Sequence, residues 1–357
     1  SDTGASGTVT VNDNGEIKVT PASYSTAGTK LSIKVYAEGA SNAYVYCSFR
    51  LITKTSLTQA EDGYFEIYDA NDLKEFADLV NNTVCENSVG GQPEKNLNLR
   101  LMNDIDMTPI NDTYIPIGSA INGKFGSYAS NRYYSWCGDF DGGGHRIYNI
   151  NYTAKVRSDV TLFWNSGVIF TTAGSCHDLT VEGKVQTADN WTTALCGVGQ
   201  CNKFENVISK LEINAGKAGS VSGIGGDDQR ATFINCVNYS NITSNSTAKY
   251  GAVAGIAKEG AIVENCRNYG RLECTNPDVQ IAGIVYYSRA VGYNIKISQC
   301  ANYGEIIGGK AAGIVADFSP QGRGSMADCY NWGKITGSVY AGGIIGVWLS
   351  GAVTHAR

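Results

Sequence analysis

The chain has 357 residues, a formal net charge of −5 and 43% hydrophobic residues. It contains no apolar run of about eighteen residues, the length a membrane helix needs. It also has no Lys/Arg cluster of the kind that nucleic acid or an anionic membrane surface requires. A sizeable core is therefore expected, with no nucleic acid partner, no membrane span and a monomeric state.

In chain order, residues 1–58 come first. The segments GTVTVN, EIKVTP, KLSIKVYAEG and AYVYCSFRLITKT alternate apolar and polar residues and are separated by turn formers. This pattern predicts a small antiparallel β-sandwich or Ig-like domain, or part of one. Residues 59–357 then form a second domain. It opens with YDANDLKEFADLVNN, which reads as a helix over 70–82 with Asp69 as N-cap and Leu73, Phe76, Ala77 and Val80 on one face. Such a helix is placed to cap the open end of the following repeats, whose first coil would otherwise expose backbone groups and apolar side chains. LNLRLMNDIDM continues with Leu97, Leu99 and Leu101 expected inward. YIPIGS, an insertion GKFGSYASNRYYSW and DFDGGGHRIYNINY follow.

The last third repeats one phrase: INCVNYSNI, VENCRNYGRL, SQCANYGEI and ADCYNWGKI, with Cys236, Cys266, Cys300 and Cys329 in register. Worn copies place Ile150, Leu179 and Val207 in the same column. A second phrase aligns Gly197, Gly223, Gly255, Gly283, Gly313 and Gly343 at the same period, close to thirty residues. The stretches between are strand-like and lack a 3.6-residue period, so the expected fold is all-β, a parallel β-helix with one repeat per coil. Asn-Tyr-Gly and Asn-Trp-Gly read as turns, since Asn and Gly tolerate positive φ. Cysteines in one column of parallel coils are poorly oriented for disulfides and read as a buried ladder of small hydrophobes. A straight column also cannot surround a metal ion. Cys196 and Cys201 are the pair best placed for a bridge.

The order EIYDANDLKEFADLVN, LMNDIDM, YIPIGS, DFDGGGHRIYNI and then the glycine repeats resembles bacterial GLUG-type repeat proteins over roughly residues 64–347. That resemblance implies a right-handed parallel β-helix on secreted or cell-surface bacterial proteins, many of them adhesin-like. It also implies an outer-membrane anchor, such as a lipid, as one route to the surface. Similar stretches precede the catalytic part of IgA-cleaving metallopeptidases.

Chemistry is sparsely signposted. The three histidines, His145, His177 and His355, do not form the two-histidine helical motif of a zinc peptidase. His145 and His177 read as turn-stabilising, and neither a metal nor a cofactor is expected. Asp139 and Asp141, flanking an inward Phe140, are the candidate carboxylates of a polysaccharide lyase or glycoside hydrolase, which needs two such groups. Asp227 and Asp228 read as a solvated loop. Binding has better candidates, because aromatic faces stack on sugar rings. These are Tyr133, Tyr134 and Trp136 in the insertion, and Tyr286 and Tyr287 where a repeat is broken. The leading expectation is a non-catalytic, adhesin-like surface rod presenting loops to a glycan or to a host or partner protein. A carbohydrate-active enzyme on a β-helix and a structural spacer are the alternatives.

Overall fold

The computed structural model describes backbone strands at residues 7–11, 17–21, 30–37 and 40–50. Beyond these it describes residues 55–84, 97–118, 120–121, 136, 138–153, 160–161, 165–166, 168–170, 174–186, 191–192, 203–216, 220–225, 231–246, 251–274, 276–288, 294–319, 324–348 and 352–354. The chain divides into two compact units, Ser1–Ser56 and Leu57–Arg357. In the first, Gly7–Val11 pairs antiparallel with Ile17–Pro21, and Lys30–Ala37 with Ala40–Arg50.

The second unit is a parallel β-solenoid. One face is a ten-stranded sheet to which each turn of the chain adds a short strand, from Tyr64–Ile67 and Asn98–Leu101 through Asp139–Asp141, Ser175–His177 and Lys203–Glu205 to Ala352–Thr354. Alternation within these strands sends a continuous column of side chains inward. Phe65, Leu99, Phe140, Cys176, Phe204, Phe233, Val263, Ile297 and Met326 lie in register, all fully buried. Phe204 and Phe233 stack at 4.9 Å between centroids, the strand spacing itself. The helix spans Ala70–Val84. Asp69 Oδ1 accepts the amide N–H groups of Asn71 and Asp72, which makes it the N-cap. Leu73, Phe76, Ala77 and Val80 are buried, and Phe76 meets Phe65 edge to face.

The chain leaves the ten-stranded sheet through a one-residue corner. Asn149, Asp178, Asn206, Asn235, Asn265, Gln299 and Asp328 all have positive φ, between 51° and 57°. From Asp178 onward each directly precedes a buried residue of one column, namely Leu179, Val207, Cys236, Cys266, Cys300 and Cys329, whereas Asn149 sits at a bulge that pairs Ile150 with Gly183, so Ile150 is corrected out of that column. This relocates the turn. Positive φ falls on the residue before the cysteine, while Asn-Tyr-Gly continues the coil with Asn238, Asn268 and Asn302 buried. The left-handed region is open mainly to short polar side chains, and the corner is built from Asn, Asp and Gln.

The buried asparagines form a ladder. Asn238 donates to Asn268 at 2.8 Å, Asn268 to Asn302 at 2.7 Å and Asn302 to Asn331 at 2.7 Å. The second N–H of each amide closes on a carbonyl two residues along its own coil. Against this ladder sits the glycine column. A Cβ at Gly283 would lie 2.2 Å from the Gly313 carbonyl oxygen and 2.6 Å from the Asn302 side chain, so only glycine permits the approach. Replacing Asn268 by alanine orphans buried amide groups on both neighbouring coils, each worth about 1–3 kcal/mol. Urea denaturation of Asn268→Ala should show a loss of about 3 kcal/mol or more.

Cys236, Cys266, Cys300 and Cys329 are buried free thiols, and each Sγ donates to carbonyls of its own and the preceding coil. Burial pushes Cys266 and Cys300 well above the ordinary thiol range, and the contact with Cys300, followed by burial, does the same for Cys329. These groups keep their protons in the folded state while the unfolded chain loses them above about pH 8.5. Their contribution is therefore complete below that pH and declines above it, by up to about 1.4 kcal/mol per thiol per pH unit. Denaturation midpoints should fall between pH 8 and 10, and fall less in a Cys266→Ala/Cys300→Ala variant.

Candidate functional site

Two surfaces of the solenoid carry side chains that the fold does not require. The first follows from alternation. With Cys266 and Asn268 inward, Tyr269 must point out, and the same holds one coil down and two coils up. Tyr239, Tyr269, Tyr303 and Trp332 form one outward column, 47%, 44%, 43% and 73% exposed. Tyr239 and Tyr269 stack at 4.9 Å with 9° between planes, and Tyr269 and Tyr303 at 4.8 Å with 6°. Stacking covers the ring faces and turns a row of phenolic rims to solvent. Trp332 offers the largest exposed aromatic surface. At the lower end, Tyr239 walls an open recess of about 470 Å³ lined by Gly183, Lys210, Leu211, Glu212 and Asn241.

The second surface is a charged cluster on the ten-stranded sheet. Asp139 and Asp141 flank the buried Phe140, and Ser175 and His177 lie beside them on the next strand. His177 Nε2 is 3.0 Å from Asp139 Oδ2, and Nδ1 is 2.8 Å from Asp178 Oδ2 and 3.7 Å from Asp141 Oδ1. Tyr64 donates its hydroxyl to Asp139 at 2.7 Å, and Ser175 donates to the other oxygen of that carboxylate. Arg100 bridges Asp141 at 2.7 Å and Asp62 at 3.0 Å. Burial raises Asp139, yet the hydrogen bonds from Ser175 and Tyr64 and the His177 charge bring it below the usual carboxylate range. The same bond holds the Tyr64 phenol up at about 12. Burial lowers His177, but its bond to Asp178 and the Asp139 charge outweigh burial and raise it.

The residues expected to bind are dispersed. Trp136 is corrected to a core residue. It is fully buried, its indole N–H donates to the Leu97 carbonyl at 2.8 Å, and it meets Phe76 and Phe170 edge to face, so no face is left for a sugar. Tyr286 and Tyr287 stack at 5.6 Å and are partly buried, Tyr286 against Ala282, Ala312 and Ala316. Tyr133, Tyr134, Asp227, Asp228, Cys196 and Cys201 lie outside the described residues. His177 does more than hold a turn, because its ring joins three carboxylates. His145 lies 3.5 Å from Asp104.

No family model matches the chain, and no curated protein matches it either. Among solved structures, one titled IgA1 Protease aligns with 98% of this chain and 25% of its own length, at 14% identity and a TM-score of 0.42. The chain thus spans about a quarter of that protein.

The tyrosine stack is peripheral to the packing, so Tyr269→Ala should lower stability by only about 1 kcal/mol. Thermal or urea melts should rank it well below Asn268→Ala.

Proposed function

We propose that this chain is a non-catalytic, adhesin-like β-helical rod of a secreted or surface-displayed bacterial protein, binding an extended glycan along its aromatic column. The observation that carries the reading is the alignment of Tyr239, Tyr269, Tyr303 and Trp332 at the coil spacing on one exposed line. Contiguous exposed aromatic surface marks interaction sites. Aromatic side chains offer amphipathic area with few rotamers to freeze. The indole of Trp332 supplies a face for one sugar ring, the tyrosine rims supply hydroxyls between, and the recess beside Tyr239 supplies polar groups at the far end. The resemblance to GLUG-type repeats supports the surface location. Tyr286 and Tyr287, and Tyr133 and Tyr134 in the insertion, are secondary contact candidates.

One observation favours a second reading, a polysaccharide lyase or glycoside hydrolase. Asp139 and Asp141 face outward on one strand, with His177 and Tyr64 in hydrogen-bond reach of Asp139. Incubation with mixed polysaccharides, scored for new reducing ends or unsaturated uronides, separates the two, and the binding reading expects neither product.

The test of the leading reading is glycan-array binding of the wild type beside Tyr269→Ala/Trp332→Ala and Tyr286→Ala/Tyr287→Ala. Loss of about tenfold or more in the first variant is expected, since each stacked or buried aromatic contact is worth about 1–2 kcal/mol. Equal binding by wild type and the first variant rejects the column as the site.

A further inference from the structure

The cluster around His177 holds more negative charge than the coil requires. The same corner is made by Asn206, Asn235 and Asn265 with φ of 55°, 55° and 53°, by Gln299 at 56° and by Asp328 at 51°, against 52° for Asp178. A neutral amide therefore satisfies the turn as well as a carboxylate does, and the turn by itself does not require the charge at 178. Asp62, Asp139, Asp141 and Asp178 gather there against Arg100, while on the next coil Lys203 is occupied by Glu205.

We propose that Asp141, His177 and Asp178 form a binding site for a divalent transition-metal ion of the zinc or manganese class, with Asp139 behind the imidazole. One ligand atom from each of the three residues lies within 4.8 Å of the others. Ligands held at about 2.0–2.2 Å from a common zinc ion stand roughly 3–3.5 Å apart. The Nδ1 distances of 2.8 Å to Asp178 and 3.7 Å to Asp141 fall on either side of that range.

Each ligand is also fixed from outside the set. Asp178 Oδ1 accepts the Asn206 amide at 2.8 Å, and Asn206 in turn is held by Asn235 and Asn235 by Asn265, a ladder running up the corner. Asp141 Oδ2 accepts Arg100 Nε, and Asp141 Oδ1 accepts the Gly143 amide at 2.8 Å. Asp139, anchored by Tyr64 and Ser175, stands 3.0 Å from His177 Nε2. Without metal, Nδ1–H donates to Asp178; an ion that displaces this proton would meet Nδ1 and oxygens of Asp178 and Asp141, with Nε2–H still donating to Asp139. A carboxylate accepting the far N–H of a ligating histidine is the usual arrangement at protein metal sites. One imidazole nitrogen with two carboxylates suits zinc, manganese or cobalt(II) better than calcium, which takes six to eight oxygens.

The experiment uses the full chain, stripped with chelator and titrated with Zn²⁺, and separately with Co²⁺ as a spectroscopic probe. One equivalent should bind, with visible Co²⁺ ligand-field bands and no near-ultraviolet thiolate charge-transfer band. His177→Ala should weaken Zn²⁺ by about 100-fold or more, and Asp139→Asn by about 10–100-fold. Asp178→Asn keeps the corner in the form its neighbours use, so it should weaken the metal while its circular dichroism and metal-free melting stay as in the wild type. His145→Ala should bind as the wild type does. Absence of binding to the wild type, unchanged binding in both Asp178→Asn and His177→Ala, or a thiolate band would each overturn the assignment.

Discussion

From Asn238 to Asn331, the spacing that the parallel backbone ladder sets is locked in place by the asparagine ladder lying against the glycine column. A buried primary amide is costly unless its donors and acceptor are all matched. Here the match is made by an identical amide one coil away and by a carbonyl of the same coil. That solution works only if the strand opposite carries no side chain, which is why Gly223, Gly255, Gly283 and Gly313 stand where an added Cβ would strike carbonyl oxygen and amide together. The two columns are one device. Together they reinforce the register of the strands from Asn238 to Asn331, continuing the hydrophobic columns that begin in the earlier coils.

Register also governs what solvent meets. Because every coil repeats the alternation that begins at the cysteine, each outward position becomes a line along the solenoid. One line is aromatic, Tyr239 through Trp332. A neighbouring line is charged, with Arg271 bridging Glu273 at 2.5 Å and Glu305 at 3.2 Å. On the ten-stranded sheet, the line through Arg100, Asp141 and His177 gathers the polar cluster. The scaffold thus converts a one-dimensional repeat into parallel stripes of distinct chemistry.

The architecture was legible because repetition multiplies a weak signal. The column at 179, 207, 236, 266, 300 and 329 is visible in the sequence, and the structure puts those residues in one buried line, while Ile150, read as part of it, pairs with Gly183 instead because a bulge shifts its strand. The turn was misplaced because Asn-Tyr-Gly is ordinarily a turn signal, whereas here the amide is consumed inside the core. The aromatic column was available to the same alternation but was concealed by that reading. His177 could not be paired with Asp139 from sequence, since their separation of 38 residues departs from the beat of close to thirty. Trp136 was misassigned because it ends a polar, tyrosine-rich insertion, and nothing in its neighbours signals that the chain has re-entered the core.

The left-handed corner takes a single residue in each described coil from Asp178 to Asp328, and in the last three of these the short path through Asn and Gly is likewise fixed. The stretches joining Ser288 to Ile295 and Phe318 to Gly324 differ in length, yet the columns on either side remain aligned. The stretches from Thr243 to Ala252, Glu273 to Gln280 and Ile307 to Lys310 also differ in length between aligned strands, whereas the corner does not. A gene for such a protein can gain or lose whole coils by unequal duplication and still specify a continuous core. Each added coil of the Asn-Tyr-Gly type would lengthen the aromatic line by one ring, so that under the proposed glycan-binding role repeat number becomes a setting for valency.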